Sequence, residues 1–238
     1  MSSAKPPLFL NATRDLAAFA AGLKFEDIPP EAIERIKYCA LDSIGCCLFG
    51  VTLPWTRHVQ AMAEAEGAKP VASIYGSGRR TSIAQAVLVN STAGHAFELD
   101  DIHKESIVHP GSLATPVALA YAEAAGGASG RDVITGMIAG YEVGTRVGNA
   151  ATMSLFLRGF HPQGTSGAFV AAATAGRMVS RRGTNAARPR HRRLAGRRLD
   201  GRAGRRHGQA LSLRSRRSER RVFRDARETR VHRNHRCA

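Results

Sequence analysis

Residues 113–150 read LATPVALAYAEAAGGASGRDVITGMIAGYEVGTRVGNA, and this stretch decides the fold class. Apolar residues recur at helical spacing over Leu113–Ala125 and again over Val133–Ala150, and the Gly126–Gly127 pair stops the first run. Both runs are built largely from Ala, Gly and Val, so their backbones can approach closely. The same pattern extends outward. Asn11–Ala12–Thr13 caps a run through Leu16, Phe19 and Leu23. Pro29–Pro30 opens a longer one carrying Ile33, Ile36, Ala40, Leu41, Ile44 and Leu48, closed by Gly50. Trp55 to Ala65 reads as a short helix, and Val71–Tyr75 as a short extended piece ending at Gly76. Thr81 or Ser82 begins a helix through Ala86, Val87, Val89 and Ala93, and Ser166–Val179 forms the last. Alternating strand signal is nearly absent, so the expectation is an all-α domain over residues 8–180, without internal repeats.

Charge divides the chain at about residue 180. Residues 1–180 hold 14 Lys and Arg against 15 Asp and Glu, whereas residues 181–238 hold 21 Arg, no Lys and four acids. The whole-chain charge of +16 therefore belongs to the tail. The tail also lacks Ile, Met, Tyr and Trp; it has too little to bury to offset its ordering entropy and is expected to be disordered. Cys39, Cys46, Cys47 and Cys237 form no metal or disulfide pattern, and the first three sit in an apolar helical run. Buried thiols in a reducing compartment are the expectation. Neither a leader peptide nor an apolar run long enough to span a bilayer is legible, so the body is expected in the cytoplasm and off the membrane.

Chemistry concentrates between two helices. The segment from His95 to Ser112 reads HAFELDDIHKESIVHPGS, with acids Glu98, Asp100 and Asp101 and histidines His95, His103 and His109. Charged groups crowded beside apolar helices suit proton transfer, because desolvation and neighbouring charge tune carboxylates and imidazoles toward neutrality. A second segment, GFHPQGTSG at residues 159–167, places His161 just ahead of a helix N-terminus, with Thr165 and Ser166 beside it. Free N–H groups and the positive dipole end there favour a carboxylate. Bland readings stand beside these: His95 as a packed helix residue, and Asp100 and Asp101 as local caps. The spacing of Asp101, His103 and His109 fits no standard metal motif, so neither metal nor cofactor is expected.

Three ordered motifs carry a resemblance: GHAFELDDIHKESIVHPGSLATP at residues 94–116, GYEVGTRV at 140–147 and GFHPQGTSG at 159–167. Together they resemble the MmgE/PrpD family, which includes 2-methylcitrate dehydratase and cis-aconitate decarboxylase. The resemblance implies a helical domain built from both ends of a longer chain, a smaller lid domain, a homodimer, and lyase chemistry on a small polycarboxylate without metal. It implies a catalytic region of Glu98, Asp100, Asp101, His103, His109 and His161, with His95, Ser112, Thr165 and Ser166 beside the substrate. Decarboxylase members carry Asp where Glu98 stands, and a Thr often follows the acidic pair where this chain has Ile102. Dehydration of a substrate such as 2-methylcitrate is thus the expected reaction, with decarboxylation or epimerisation as alternatives. The family's downstream Lys-Arg-x-His-like anchor is not legible here.

That missing anchor reappears in another reading frame. With third bases chosen freely, codons for His207 to Arg216, started one base later, spell Met-Val-Lys-Arg-Phe-His-Ser-Gly-Arg. Residues 183–196 and 224–238 likewise yield family-like runs in the right order. The arginine excess follows, since alanine codons of a GC-rich gene read out of register become arginine codons. The expectation is a frameshift near Val179–Arg182, leaving an incomplete, inactive domain. The competing class, a basic arm binding nucleic acid through phosphate contacts, sits poorly with an arm devoid of Lys; binding to nucleic acid would be adventitious.

Overall fold

A computed structural model describes residues 11–180. The expectations for residues 8–10 and for the 181–238 tail, its disorder and its frame, lie outside the described residues. Seven helices and one hairpin follow in order: α1 Ala12–Gly22, α2 Pro30–Gly50, α3 Pro54–Glu66, β1 Ala72–Ile74, β2 Arg79–Thr81, α4 Ile83–Gly94, α5 Gly111–Ala124, α6 Gly130–Phe156 and α7 Pro162–Ser180, with a single 3-10 turn at Phe25–Asp27. The all-α expectation holds. Among the described residues no single helix is long and apolar enough to cross a membrane.

Local chemistry explains most helix starts. Prolines occupy the first turns of α2 and α3, where a missing N–H costs nothing. Ser82 caps α4 by accepting from the Gln85 N–H, and Ser129 and Asp132 form a reciprocal capping box on α6. Four helix boundaries differ from the sequence reading by two residues or more; α6 starts at Gly130 rather than Val133, behind its Ser129 cap. Helix α6 reaches Phe156 rather than Ala150. Helix α5 begins at Gly111 rather than Leu113, because a carboxylate ten residues upstream, Asp101, accepts the Gly111 N–H. Helix α7 begins at Pro162, four residues before Ser166. The Thr165 hydroxyl donates back to the carbonyls of His161 and Pro162 instead of capping a later start.

Strand β2, Arg-Arg-Thr, pairs antiparallel with β1 in the register Ala72–Thr81, Ser73–Arg80 and Ile74–Arg79. Three residues without alternation carry no strand signal, and the pairing itself makes this strand. Asn90 of α4 fastens the hairpin, donating to the Ser73 carbonyl and accepting the Tyr75 N–H.

Helix α5 lies at the centre, touching α2, α4, α6 and α7. It is buried almost all round, including Ala114, Thr115, Pro116, Val117, Ala118 and Ala120, as a helix with packed neighbours on every side must be. The main core joins Ile36 of α2, Ala114 and Ala118 of α5, Met137 and Ile138 of α6, and Val170 and Met178 of α7, with Val108 from the α4–α5 connection. Helices α6 and α7 meet along Gly136, Gly140 and Gly144, spaced by four and facing Met178, Thr174 and Val170. An added Cβ at Gly140 would lie 2.0 Å from Thr174 Oγ1, and one at Gly144 2.1 Å from Val170 Cγ2. The seam is therefore as close as backbone allows. Gly45, exposed within α2, has nothing within 4 Å of such a Cβ.

Gly140→Ala should accordingly lower stability by about 1–3 kcal/mol through overpacking, while Gly45→Ala should raise it by roughly 0.5–1 kcal/mol through helix propensity. Urea midpoints followed by circular dichroism check this; equal midpoints for the two variants would contradict the seam.

Candidate active site

The connection between α4 and α5, residues 95–110, is shaped by contacts at both of its ends. Val108 is fully buried, and the chain folds back so that the His103 N–H donates to the Val108 carbonyl at 2.9 Å. Glu98 and Ile107 adopt positive φ of 54° and 50°. Side chains other than glycine hold that conformation only where surrounding structure imposes it.

Asp101 supplies much of that imposition. Its Oδ1 accepts from the Gly111 N–H at 2.9 Å and its Oδ2 from the Tyr141 hydroxyl at 2.9 Å. Its own N–H donates to Asp42 Oδ2 at 3.2 Å, and Ser43 Oγ donates to the Gly111 carbonyl at 2.9 Å. A Cβ on Gly111 would sit 2.2 Å from Asp101 Oδ1, so glycine is required there. Burial raises the Asp101 pKa, and the bonds from Tyr141 and Gly111 pull it back. Burial, then the Asp101 charge, drives the Tyr141 pKa far upward, which keeps it a phenol donor.

A second clamp holds His109 by its backbone. Gln163 of α7 accepts the His109 N–H at 2.8 Å and donates to the His109 carbonyl at 3.0 Å and to Ser112 Oγ at 3.1 Å. Ser112 Oγ also donates to the His109 carbonyl at 3.0 Å.

Between these clamps lies the cluster. The Asp100 side chain is fully buried, with His95 Nδ1 at 3.1 and 3.2 Å from its two oxygens. His109 Nδ1 lies 3.3 Å from Asp100 Oδ1 and 3.2 Å from the Asp100 backbone carbonyl. The His95 and His109 ring centres are 4.6 Å apart, and His161, exposed at the head of α7, lies 6.0 Å from His95. The hydrogen bond to Asp100 raises the His95 pKa, with the charges of Asp100 and Glu98 adding and burial opposing. The outcome is two imidazoles on one buried carboxylate with a third beside them, the groups a proton transfer needs in one place.

The expected residues are thus sorted. His95, Glu98, Asp100, His109 and His161 come together. Asp101 and Ser112 hold the frame. His103 turns to its own loop, with Nδ1 2.9 Å from Ser106 Oγ and Nε2 3.5 Å from Glu105. Thr165 spends its hydroxyl on helix carbonyls, and Ser166 is buried. Asp42, Ser43, Tyr141 and Gln163 were not singled out from sequence; Tyr141 and Gln163 lie inside the second and third motifs, which is the signal that pointed to them. Donor atoms of His95, Asp100 and His109, and of His95, Glu98 and His161, fall within 4.8 Å of one another. That is room for a small cation, and equally the spacing of hydrogen-bonded Asp–His pairs. Asp101, His103 and His109 do not bring their donor atoms together in this way. Cys46 and Cys47 are buried, and burial pushes their thiols up to about 11 and about 12, so neither is a thiolate nucleophile.

The family model of the MmgE/PrpD N-terminal domain matches residues 14–187. The chain is 34% identical over 173 residues to cis-aconitate decarboxylase of Aspergillus terreus, an alignment covering 70% of this chain and 35% of that protein. It is 31% identical over 176 residues to the cis-aconitate decarboxylase-like protein oryM of Aspergillus oryzae (strain ATCC 42149 / RIB 40), covering 71% and 36%. It thus spans little more than a third of these relatives' length. With the matched region holding every residue of the imidazole cluster, the chain belongs to the MmgE/PrpD family.

Proposed function

We propose that this chain carries the proton-transfer half of a lyase acting on a small polycarboxylate. The observation that carries this reading is the cluster itself: His95 and His109 on the buried Asp100, with His161 and Glu98 beside them. In a dehydration such as that of 2-methylcitrate, an imidazole takes the proton α to a carboxylate. The C–H electron pair becomes the new double bond, and the departing hydroxide takes a proton from a second, protonated imidazole, which returns to its neutral form as water leaves. Glu98 and Asp100 hold the resulting imidazolium by charge. Ile102, standing where many family members carry Thr, favours this reaction.

The relatives' names favour a second reading, loss of carbon dioxide from cis-aconitate. There the C–CO2 bond breaks, its electron pair moves into the carbon skeleton, and an imidazolium delivers the proton that completes the product. The same side chains serve, starting from the opposite protonation state. The imidazoles of His95, His109 and His161 supply the proton-transfer groups in either case.

The remainder of the proposal concerns residues 181–238. The family match ends at residue 187, close to where arginine takes over near 180, which supports an out-of-frame tail. An anchor lysine, the lid, the homodimer contacts and a cytoplasmic location belong to the frame-restored protein. The 238-residue chain itself is then inactive.

Sequencing the gene around codon 180 and expressing the restored frame tests this directly. The restored protein should convert 2-methylcitrate or cis-aconitate, identified by product mass, and the 238-residue chain neither. His109→Ala and His161→Ala should each lower kcat by about 100-fold or more, with smaller effects on KM. Turnover by the 238-residue chain, or full activity in both variants, would contradict the reading.

A further inference from the structure

We propose that Asp100 acts as a positioning residue that locks His95 and His109 into one tautomer, hydrogen on Nδ1, so that both rings present a bare Nε2 to substrate. This rests on reading the imidazoles as the proton-transfer groups, and it assigns the nitrogen that does the work.

The argument is a count of hydrogens. A carboxylate offers acceptors only, and so does a backbone carbonyl. His95 Nδ1 faces both Asp100 oxygens, at 3.1 and 3.2 Å. His109 Nδ1 faces Asp100 Oδ1 at 3.3 Å and the Asp100 carbonyl at 3.2 Å. Each contact therefore takes its hydrogen from the ring. With an Nε2–H tautomer, two lone pairs would oppose each other beside a carboxylate that is fully buried, and that carboxylate would lose its partners. The neutral rings are thus Nδ1–H, and each Nε2 keeps a lone pair. When Nε2 takes a proton, the imidazolium forms against a carboxylate already seated on its far side, with no reorganisation needed. The raised basicity of His95 agrees with this arrangement.

The surroundings keep the geometry from relaxing. Asp101, the next residue, is bonded to Gly111 and Tyr141, and the His109 backbone is bonded at both its N–H and its carbonyl to Gln163. These bonds hold the backbones from which the Asp100 carboxylate and the His109 ring project. His103 supplies an internal contrast, since its Nδ1 meets Ser106 Oγ, a hydroxyl that donates or accepts. Its Nε2 lies 3.5 Å from the Glu105 carboxylate, which draws the ring hydrogen to the opposite nitrogen from the one held at His95 and His109.

Long-range proton–nitrogen spectra of the imidazoles in the uniformly 15N-labelled 238-residue chain read ring hydrogens directly. They are recorded about two pH units above the ordinary histidine pKa of ~6.5, so that neutral rings dominate. Resonances are assigned with His95→Gln and His109→Gln. Both rings should show protonated Nδ1 and unprotonated Nε2. In Asp100→Leu, of similar shape, both side-chain acceptors are lost. His95, which meets only side-chain oxygens, should then lose its single tautomer, while His109 keeps its own through the Asp100 carbonyl. An Nε2–H form predominating at His95 or His109 in the parent chain overturns the proposal, whatever the variant does. An unchanged His95 in a folded Asp100→Leu also overturns it. The spectrum needs no turnover, so inactivity of the frame-restored protein would fell the lyase reading and leave this result standing, and the converse holds too.

Discussion

The structure depends on one buried carboxylate that is spent on architecture. Asp101 receives the Gly111 N–H and the Tyr141 hydroxyl, joining the α4–α5 connection to the first turn of the central helix and to the middle of α6. The first N–H groups of a helix have no partner within it, so this bond satisfies a donor that burial would otherwise leave unpaired at a cost of about 1–3 kcal/mol. The bond requires glycine at 111, because a side chain would occupy the position of the oxygen. It fixes where α5 starts, and with that the positions of His109, Ser112 and the backbone turn that presents Asp100.

Adjacent residues of identical chemistry thereby take opposite work. Asp101 binds main chain and phenol, and Asp100 binds imidazoles. The loop pays for this with left-handed backbone at Glu98 and Ile107, a strain of order 1–3 kcal/mol each. The close α6–α7 seam makes it tolerable: Gly140 and Gly144 draw α7 against α6, and α7 carries the Gln163 that holds His109 and sits directly after His161. Packing by small residues and placement of the imidazoles are thus one construction, seen from its two ends.

Most of the helices were legible from apolar residues at helical spacing, though in α2 that run buries Ile36 while Leu41 and Leu48 stay exposed and Ser43, Cys46, Cys47 and Gly50 make the rest of the buried face. What escaped was whatever tertiary partners decide. The start of α5 answers to a cap ten residues away. Strand β2 exists through its pairing with β1. The start of α7 was placed at Ser166 because hydroxyl residues signal caps, whereas Pro162 opens the helix and Thr165 folds its hydroxyl inward. At the site, composition pointed to the 18 residues that hold most of the imidazole cluster but could not separate the carboxylate that clamps from the carboxylate that orients, since the two differ only in which way each is buried. Gln163 carries no charge, and a side chain that grips backbone leaves no mark on composition. His103, by contrast, looked equal to His109 in sequence, and its loop turns it aside.

Amide hydrogen exchange at Gly111 tests the central claim most directly. Being the first residue of α5, it has no partner for its N–H within the helix, so any strong protection there comes from Asp101. The account predicts exchange as slow as in the buried interior of α5, accelerating to the rate of an exposed loop amide in Asp101→Ala while residues such as Ala118 stay protected. Fast exchange at Gly111 in the parent chain, or slow exchange surviving in Asp101→Ala, would contradict it.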